Sequence, residues 1–419
     1  MELSSLMGDS ASQGKEAPTA FEYGAQISSS LISGEAKIVV SESGLKVTAL
    51  FDAVEIPYSD IAGLAMKDYG VILHTTSVGD VHLSRMGSLS EPFYFAALDA
   101  YNKKVLKALF VSGKSALETK GAYICVEDGI VTSGAAPIQV YDNCVCILPP
   151  DLGARRIPLC FVTGMEKKDY SITLHLDSAE QFTFEKLGYD TEPFAAAVEK
   201  QIRTMREKTL VAVREFDPTL TAVQAAAIAK LIPQGVAAPV GRLGVIAPSF
   251  VAALEAAIAD SRAADSYSVF KEMCDPTQIY IGFKQDEGRD GKGEGDLSIP
   301  PRVQDDLVLW MIIPSPDGHA GAVEFAGGEN AAAATFVYRF GGDYKHFAQK
   351  LNRALEATAF KREIIRLTEE ELHQPQNEDY RMAAQRTHAI QFVRGCFTGR
   401  AIHTSLDNWK KQLLALWHY

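Results

Sequence analysis

Cysteine, long apolar runs and positive charge are all scarce in this sequence. Six cysteines in 419 residues are too few and too irregular for a disulfide scaffold. Cys125, Cys144, Cys146 and Cys160 fall in apolar, strand-like sequence. Cys144-Val145-Cys146 has one spacer where zinc pairs use two to four, so these thiols read as reduced and buried, packed as small hydrophobes. No apolar run approaches the roughly 20 residues of a membrane-spanning helix. Residues 1–24 lack the basic start and apolar stretch of a secretory signal and read as a flexible, Ser/Gly/Ala-rich tail. The expected location is cytoplasmic. With 41 Lys and Arg against 53 Asp and Glu, the formal net charge is −12. That average field repels phosphate backbones and anionic head groups, which disfavours nucleic acid and membranes and favours a basic protein partner. Recognisable catalytic signatures are missing too: there is no Gly-x-Ser-x-Gly, no His-Glu-x-x-His and no dinucleotide-binding glycine fingerprint. Neither a cofactor nor a metal is expected.

What is present is a repeat. Ile56–Ala96 aligns without a gap on the segment 101 residues later, with 14 identities in 41 positions, where composition alone gives about two or three. They include Ile-Pro at 56–57 and 157–158, Lys-Asp-Tyr at 67–69 and 168–170, and Glu-Pro-Phe at 91–93 and 192–194. Upstream, SESGL (41–45) aligns with VEDGI (126–130) at an offset of 85, which gives the second copy about 16 extra residues within 131–156.

Each copy alternates apolar and polar residues in short runs, the mark of strands. Examples are Lys37–Val40, Leu45–Phe51, Gly70–Thr75 and Asp80–Ser84, then Tyr123–Val126, Ser171–Leu176 and Gln181–Glu185. At Ser90-Glu91-Pro92 and Thr191-Glu192-Pro193 a capping hydroxyl, an acid and a proline predict a helix start. Phe93, Ala97, Tyr101 and Val105 then recur every four residues, as do Phe194, Val198 and Ile202. Strands closed by one helix in about 90–100 residues resemble the pleckstrin-homology-like barrel. The tandem resembles the double barrel in the middle domain of FACT-type histone chaperones, and LSRMG…EPF and FEKLG…EPF resemble a motif of uncharacterised bacterial proteins. The resemblance implies two bent sheets, each plugged by its helix. Neither Ser41–Gly44 nor Val126–Gly129, read as the first hairpins, carries the cations that a lipid phosphate needs.

The fold expectation is therefore α+β: a tail over 1–24, barrel modules over 25–113 and 114–212, and a helical linker over 213–264. A third strands-then-helix module follows over 265–372, with one long helix at 343–372; a divergent barrel copy is one reading of it, without a residue-level repeat behind it. A basic helical tail over 373–419 ends the chain. The glycine-rich stretch 285–296 matches neither a calcium loop nor a phosphate loop, since Gly291-Lys292 is followed by Gly293. In the tail, two helices flank a turn at Gly395 and Gly399, and Arg394, Arg400, His403, Lys410 and Lys411 are the candidate ligand- or partner-binding residues. Their structural alternative is docking onto the chain's own acids. Cys396 and His403 have no third group to activate them, and His74 and His175 read as structural imidazoles bonded to carbonyls. The function expected is a non-enzymatic binding or scaffold protein that offers its tandem modules to a protein partner. The alternatives are a peripheral membrane or anionic-ligand binder using the basic tail and, more remotely, an enzyme with an unrecognised site.

Overall fold

The computed structural model describes residues 21–285, 307–327 and 334–418. Two compact units divide the chain, residues 1–104 and 105–419. The first copy contains β1 (Glu22–Ser28), β2 (Ser33–Val40), β3 (Gly44–Ala49), β4 (Ala53–Pro57), β5 (Ile61–Lys67), β6 (Gly70–Thr75) and β7 (Gly79–Ser84), followed by α1 (Ser90–Ala108). The strand order is β4-β3-β2-β1-β7-β6-β5. The first strand therefore pairs with both the second and the last, antiparallel in each case. Alternate residues (Ile27, Ile38, Leu45, Val71 and Leu83) turn inward and are buried. Phe93 and Tyr101 of α1 close that core, with the Phe93 ring 5.1 Å from Tyr23 and the Tyr101 ring 6.1 Å from Tyr58.

The second copy contains β8 (Leu117–Glu127), β9 (Ile130–Val140), β10 (Cys144–Ile147), β11 (Arg155–Pro158), β12 (Val162–Lys168), β13 (Ser171–Leu176) and β14 (Gln181–Glu185), followed by α2 (Thr191–Phe216). Its order is the same, β11-β10-β9-β8-β14-β13-β12. The repeat extends to backbone detail. Both copies bulge at equivalent places, Ile61/Gly63 and Val162/Gly164. Both hold Asp68 or Asp169, and Arg85 or Lys186, in the left-handed region. The α+β class and the tandem helix-capped sheets are as expected.

Several expectations change. β1 begins at Glu22, inside the predicted tail, while residues 1–20 lie outside the described residues. Ser41–Gly44 and Asp128-Gly129 are not equivalent turns, because the first joins β2 to β3 and the second joins β8 to β9. The counterpart of Ser41–Gly44 is Tyr141–Cys144, closed by the same bond, Ser41 N to Gly44 O at 2.9 Å and Tyr141 N to Cys144 O at 2.8 Å. No 16-residue insertion exists there; β8 and β9 are each 11 residues long where β1 and β2 have 7 and 8. A Gly after a small polar residue suits any hairpin, so it could not say which one. The Ser90 and Thr191 hydroxyls donate backward to Gly87 O and Gly188 O, closing a 3-10 turn ahead of each helix instead of capping it.

The rest of the second unit contains α3 (Ala222–Leu231), β15 (Ala238–Pro239), α4 (Val240–Ile246), α5 (Pro248–Ala259), α6 (Ala264–Met273), β16 (Tyr280–Gln285), β17 (Leu307–Pro314), β18 (Ala320–Phe325) and β19 (Ala334–Arg339). It continues with α7 (Tyr344–Ala357), α8 (Glu363–Arg366), α9 (Glu369–Leu372), α10 (Glu378–Arg386), α11 (His388–Cys396), β20 (Phe397–Ile402) and α12 (Leu406–Trp417). The six strands run in chain order, β15-β16-β17-β18-β19-β20. β17 shows why both faces are covered: Leu309, Met311 and Ile313 enter a core with Phe250, Trp409 and Trp417, while Trp310 and Ile312 enter another with Phe347, Leu351 and Ile390. Among the described residues this order differs from the one the two copies share, in which the first strand pairs with the last. The long helix stops at Ala357, because Ala359 and Phe360 turn left-handed and Phe360 N bonds back to Leu355 O. Phe360 is held there by Trp310, 4.6 Å away between ring centroids.

Candidate functional site

The basic tail does not converge on one site. Arg394, on α11, donates to Ile364 O and pairs with Glu369 at 2.6 Å. Arg400 is exposed on β20, opposite Phe336 on β19. Gly399 sits in that strand at φ 155°, and Gly395 lies within α11, so the expected turn is a bulged strand. Lys410 is half-buried and Lys411 exposed on α12.

His403 belongs to a buried cluster instead. Thr335 Oγ1 donates to Glu324 Oε2, Trp409 Nε1 donates to Thr335 Oγ1 at 2.7 Å, and His403 Nε2 lies 3.1 Å from Glu324 Oε2. The imidazole stacks on the Trp409 ring with centroids 5.3 Å apart. A hydroxyl, a carboxylate and an imidazole in contact are the parts of a nucleophilic site. Here Thr335 and Glu324 are both 0 % exposed, and the imidazole is partly exposed. The cluster ties β20 and α12 to the sheet.

A second polar cluster lies where α7 crosses the second copy. Glu356 is the hub: Arg156 reaches it at 3.1 Å and Lys284 at 2.7 Å. Burial alone would raise its pKa, but Lys284 and Arg156 outweigh that and hold the carboxyl below its ordinary value. Lys350 pairs with Asp128 and Glu180, and Arg353 with Glu180 at 2.8 Å. The Arg353 guanidinium also lies 5.0 Å over the Phe161 ring. Cys144 and Cys146 face this seam as free thiols 3.9 Å apart. The hydrogen bond from Cys146, with Arg156 nearby, holds the Cys144 thiol below its ordinary value, whereas burial pushes Cys146 up.

The first copy presents an open face. β3 ends at Ala49, and the Ala49 N to Asp52 O bond turns the chain so that Leu50 and Phe51 project, 83 % and 90 % exposed. Beside them a cavity of about 890 Å³ opens between Gln26, Glu35, Lys37, Thr48 and Arg85. The strand expected over Leu45–Phe51 ends two residues early, at Ala49. A two-residue apolar pair just ahead of Asp52 was the available sign of a turn. The equivalent histidines bind carboxylates, not carbonyls: His74 Nδ1 lies 2.8 Å from Asp80, and His175 Nε2 3.6 Å from Glu166.

Among the described residues no helix is long and apolar enough to cross a membrane, and no group of three His, Cys, Asp or Glu residues is placed to hold a metal. No protein-family model and no curated protein matches the chain. A solved structure titled "Structure of the Spt16D Pob3N heterodimer" is similar at 13% identity, over 42% of this chain and 90% of that one, with a TM-score of 0.17. The fold assignment rests on strand order and register.

Proposed function

We propose that this chain is a non-enzymatic binding protein whose pleckstrin-homology-like first module meets a protein partner. One observation carries the reading: Leu50 and Phe51 stand exposed beside a cavity on the first copy; in the second copy the chain's own α7 lies against Arg156 and Glu180, the equivalents of Glu55 and Gly79. Exposed large apolar side chains next to a concavity are what a partner buries. Residues 21–104 carry a net charge of −4, which supports a basic partner.

A pull-down from native extract tests this, with the intact chain against Leu50→Asp/Phe51→Asp. Proteins retained by the intact chain should fall at least about tenfold with the double variant; unchanged retention would overturn the reading. The competing reading, an anionic surface bound through the tail, draws on exposed Arg400 and Lys411, since Arg394 and His403 already meet Glu369 and Glu324. Salt-sensitive pelleting with anionic liposomes that Arg400→Glu/Lys411→Glu abolishes would favour it. Removing residues 373–419 is no substitute, because β20 pairs with β19 and Trp409 and Trp417 lie in the core.

A further inference from the structure

The second copy shows how a helix lies on this kind of sheet. α7 meets β11 and the neighbouring turns through Lys350, Arg353 and Glu356, spaced three apart and so along one side of the helix. Arg156 of β11 receives Glu356, Phe161 lies under Arg353, and Glu180 in the turn before β14 takes both cations.

The 101-residue offset places each of these contacts on the first copy. Arg156 corresponds to Glu55, Phe161 to Asp60, and Glu180 to Gly79, next to Asp80. Glu55 and Asp80 are exposed and Asp60 is half-buried. Where the second copy offers a helix the cation Arg156, the Phe161 ring and the acids Asp128 and Glu180, the first offers Glu55, with Lys46 opposite it across the β3–β4 pair, then Asp60 and a glycine beside Asp80. The reversal from Arg156 to Glu55 and from Phe161 to Asp60 favours Lys and Arg on a helix laid there, with its apolar stripe towards Leu50 and Phe51.

We infer that the outer face of the first copy docks an amphipathic, basic helix of a partner protein, laid across β4 and the adjoining turns as α7 is laid across β11. This rests on the partner-binding reading above and supplies its chemistry. The helix seats its apolar stripe against Leu50 and Phe51 and brings cations to Glu55, Asp60 and Asp80.

Two fluorescein-labelled helical peptides with one apolar stripe test it, flanked by Lys and Arg in one and by Glu in the other. Each is titrated into the full chain by fluorescence anisotropy at low and physiological salt. The basic peptide should bind, more weakly at higher salt. Phe51→Asp and Glu55→Lys should each weaken it by about tenfold or more, and Glu55→Lys should improve the acidic peptide. Both positions are exposed, and circular dichroism verifies that the variants fold. Equal binding of the two peptides, or a basic peptide indifferent to both substitutions, overturns the inference. So does binding of neither peptide; if Leu50→Asp/Phe51→Asp still abolishes capture from extract, the partner-binding reading then survives without the helix.

Discussion

Glu356 is buried between the cations Arg156 and Lys284, which makes its ionisation part of the stability of the second unit. Its folded pKa lies below the ordinary 4.5. Stability from this group is therefore present above that value and lost as pH falls through it towards the folded pKa. Thermal unfolding followed from neutral pH down past 4.5 should show this loss, and Glu356→Gln should flatten the curve in that window. Glu356→Ala, which leaves Arg156 buried and uncompensated, should cost about 3–5 kcal/mol in denaturant unfolding. Glu324 makes a second case at lower stakes: Glu324→Ala removes the carboxylate that accepts from the Thr335 hydroxyl and faces His403, and should cost about 1–3 kcal/mol by the same measurement. Neither hub was legible in the sequence. Glu356 meets Arg156 across 200 residues, and an isolated Glu in a helix otherwise reads as solvated. His403 was singled out, but its partner Glu324, 79 residues away, lies in a strand whose residues are all buried.

Whole elements were more legible than their junctions. Period-two alternation marked β6, β13 and β14, and Glu-Pro-Phe marked both helix starts, because these signals are local. The order of hairpins in each copy was not local, and a turn of Ser-Gly or Asp-Gly looks alike wherever it falls. The third sheet misled for a related reason: strands followed by a helix describe both a capped barrel and a layered meander, and only pairing partners distinguish them. Two glycines test the packing of that layered region. A Cβ on Gly282 would run into the Trp310 ring and come within 2.9 Å of Ala237 Cα, so Gly282→Ala should destabilise by about 1–3 kcal/mol. A Cβ on Gly395 meets nothing within 4 Å and lies in α11, so Gly395→Ala should stabilise by up to about 1 kcal/mol. Paired urea melts would check the opposite signs.

At the scale of the molecule, two copies of one fold have different surroundings. The second is built into the larger unit, its outer strands sealed by α7 through Glu356, Lys350 and Arg353. In the first, the equivalent positions hold exposed Glu55 and half-buried Asp60, and Leu50 and Phe51 are exposed at the turn after β3. The net charge of −12 was readable at once and pointed to a basic partner; the surface proposed to receive one was not, because the exposure of Leu50 and Phe51 is set by the turn after β3. A photo-crosslinking amino acid placed at Phe51, and in a second protein at the equally exposed Tyr189 of the other copy, asks the question directly in native extract. The account predicts a discrete, salt-sensitive protein adduct from position 51 and none from position 189. Adducts from 189 alone, or the same adducts from both, would contradict it.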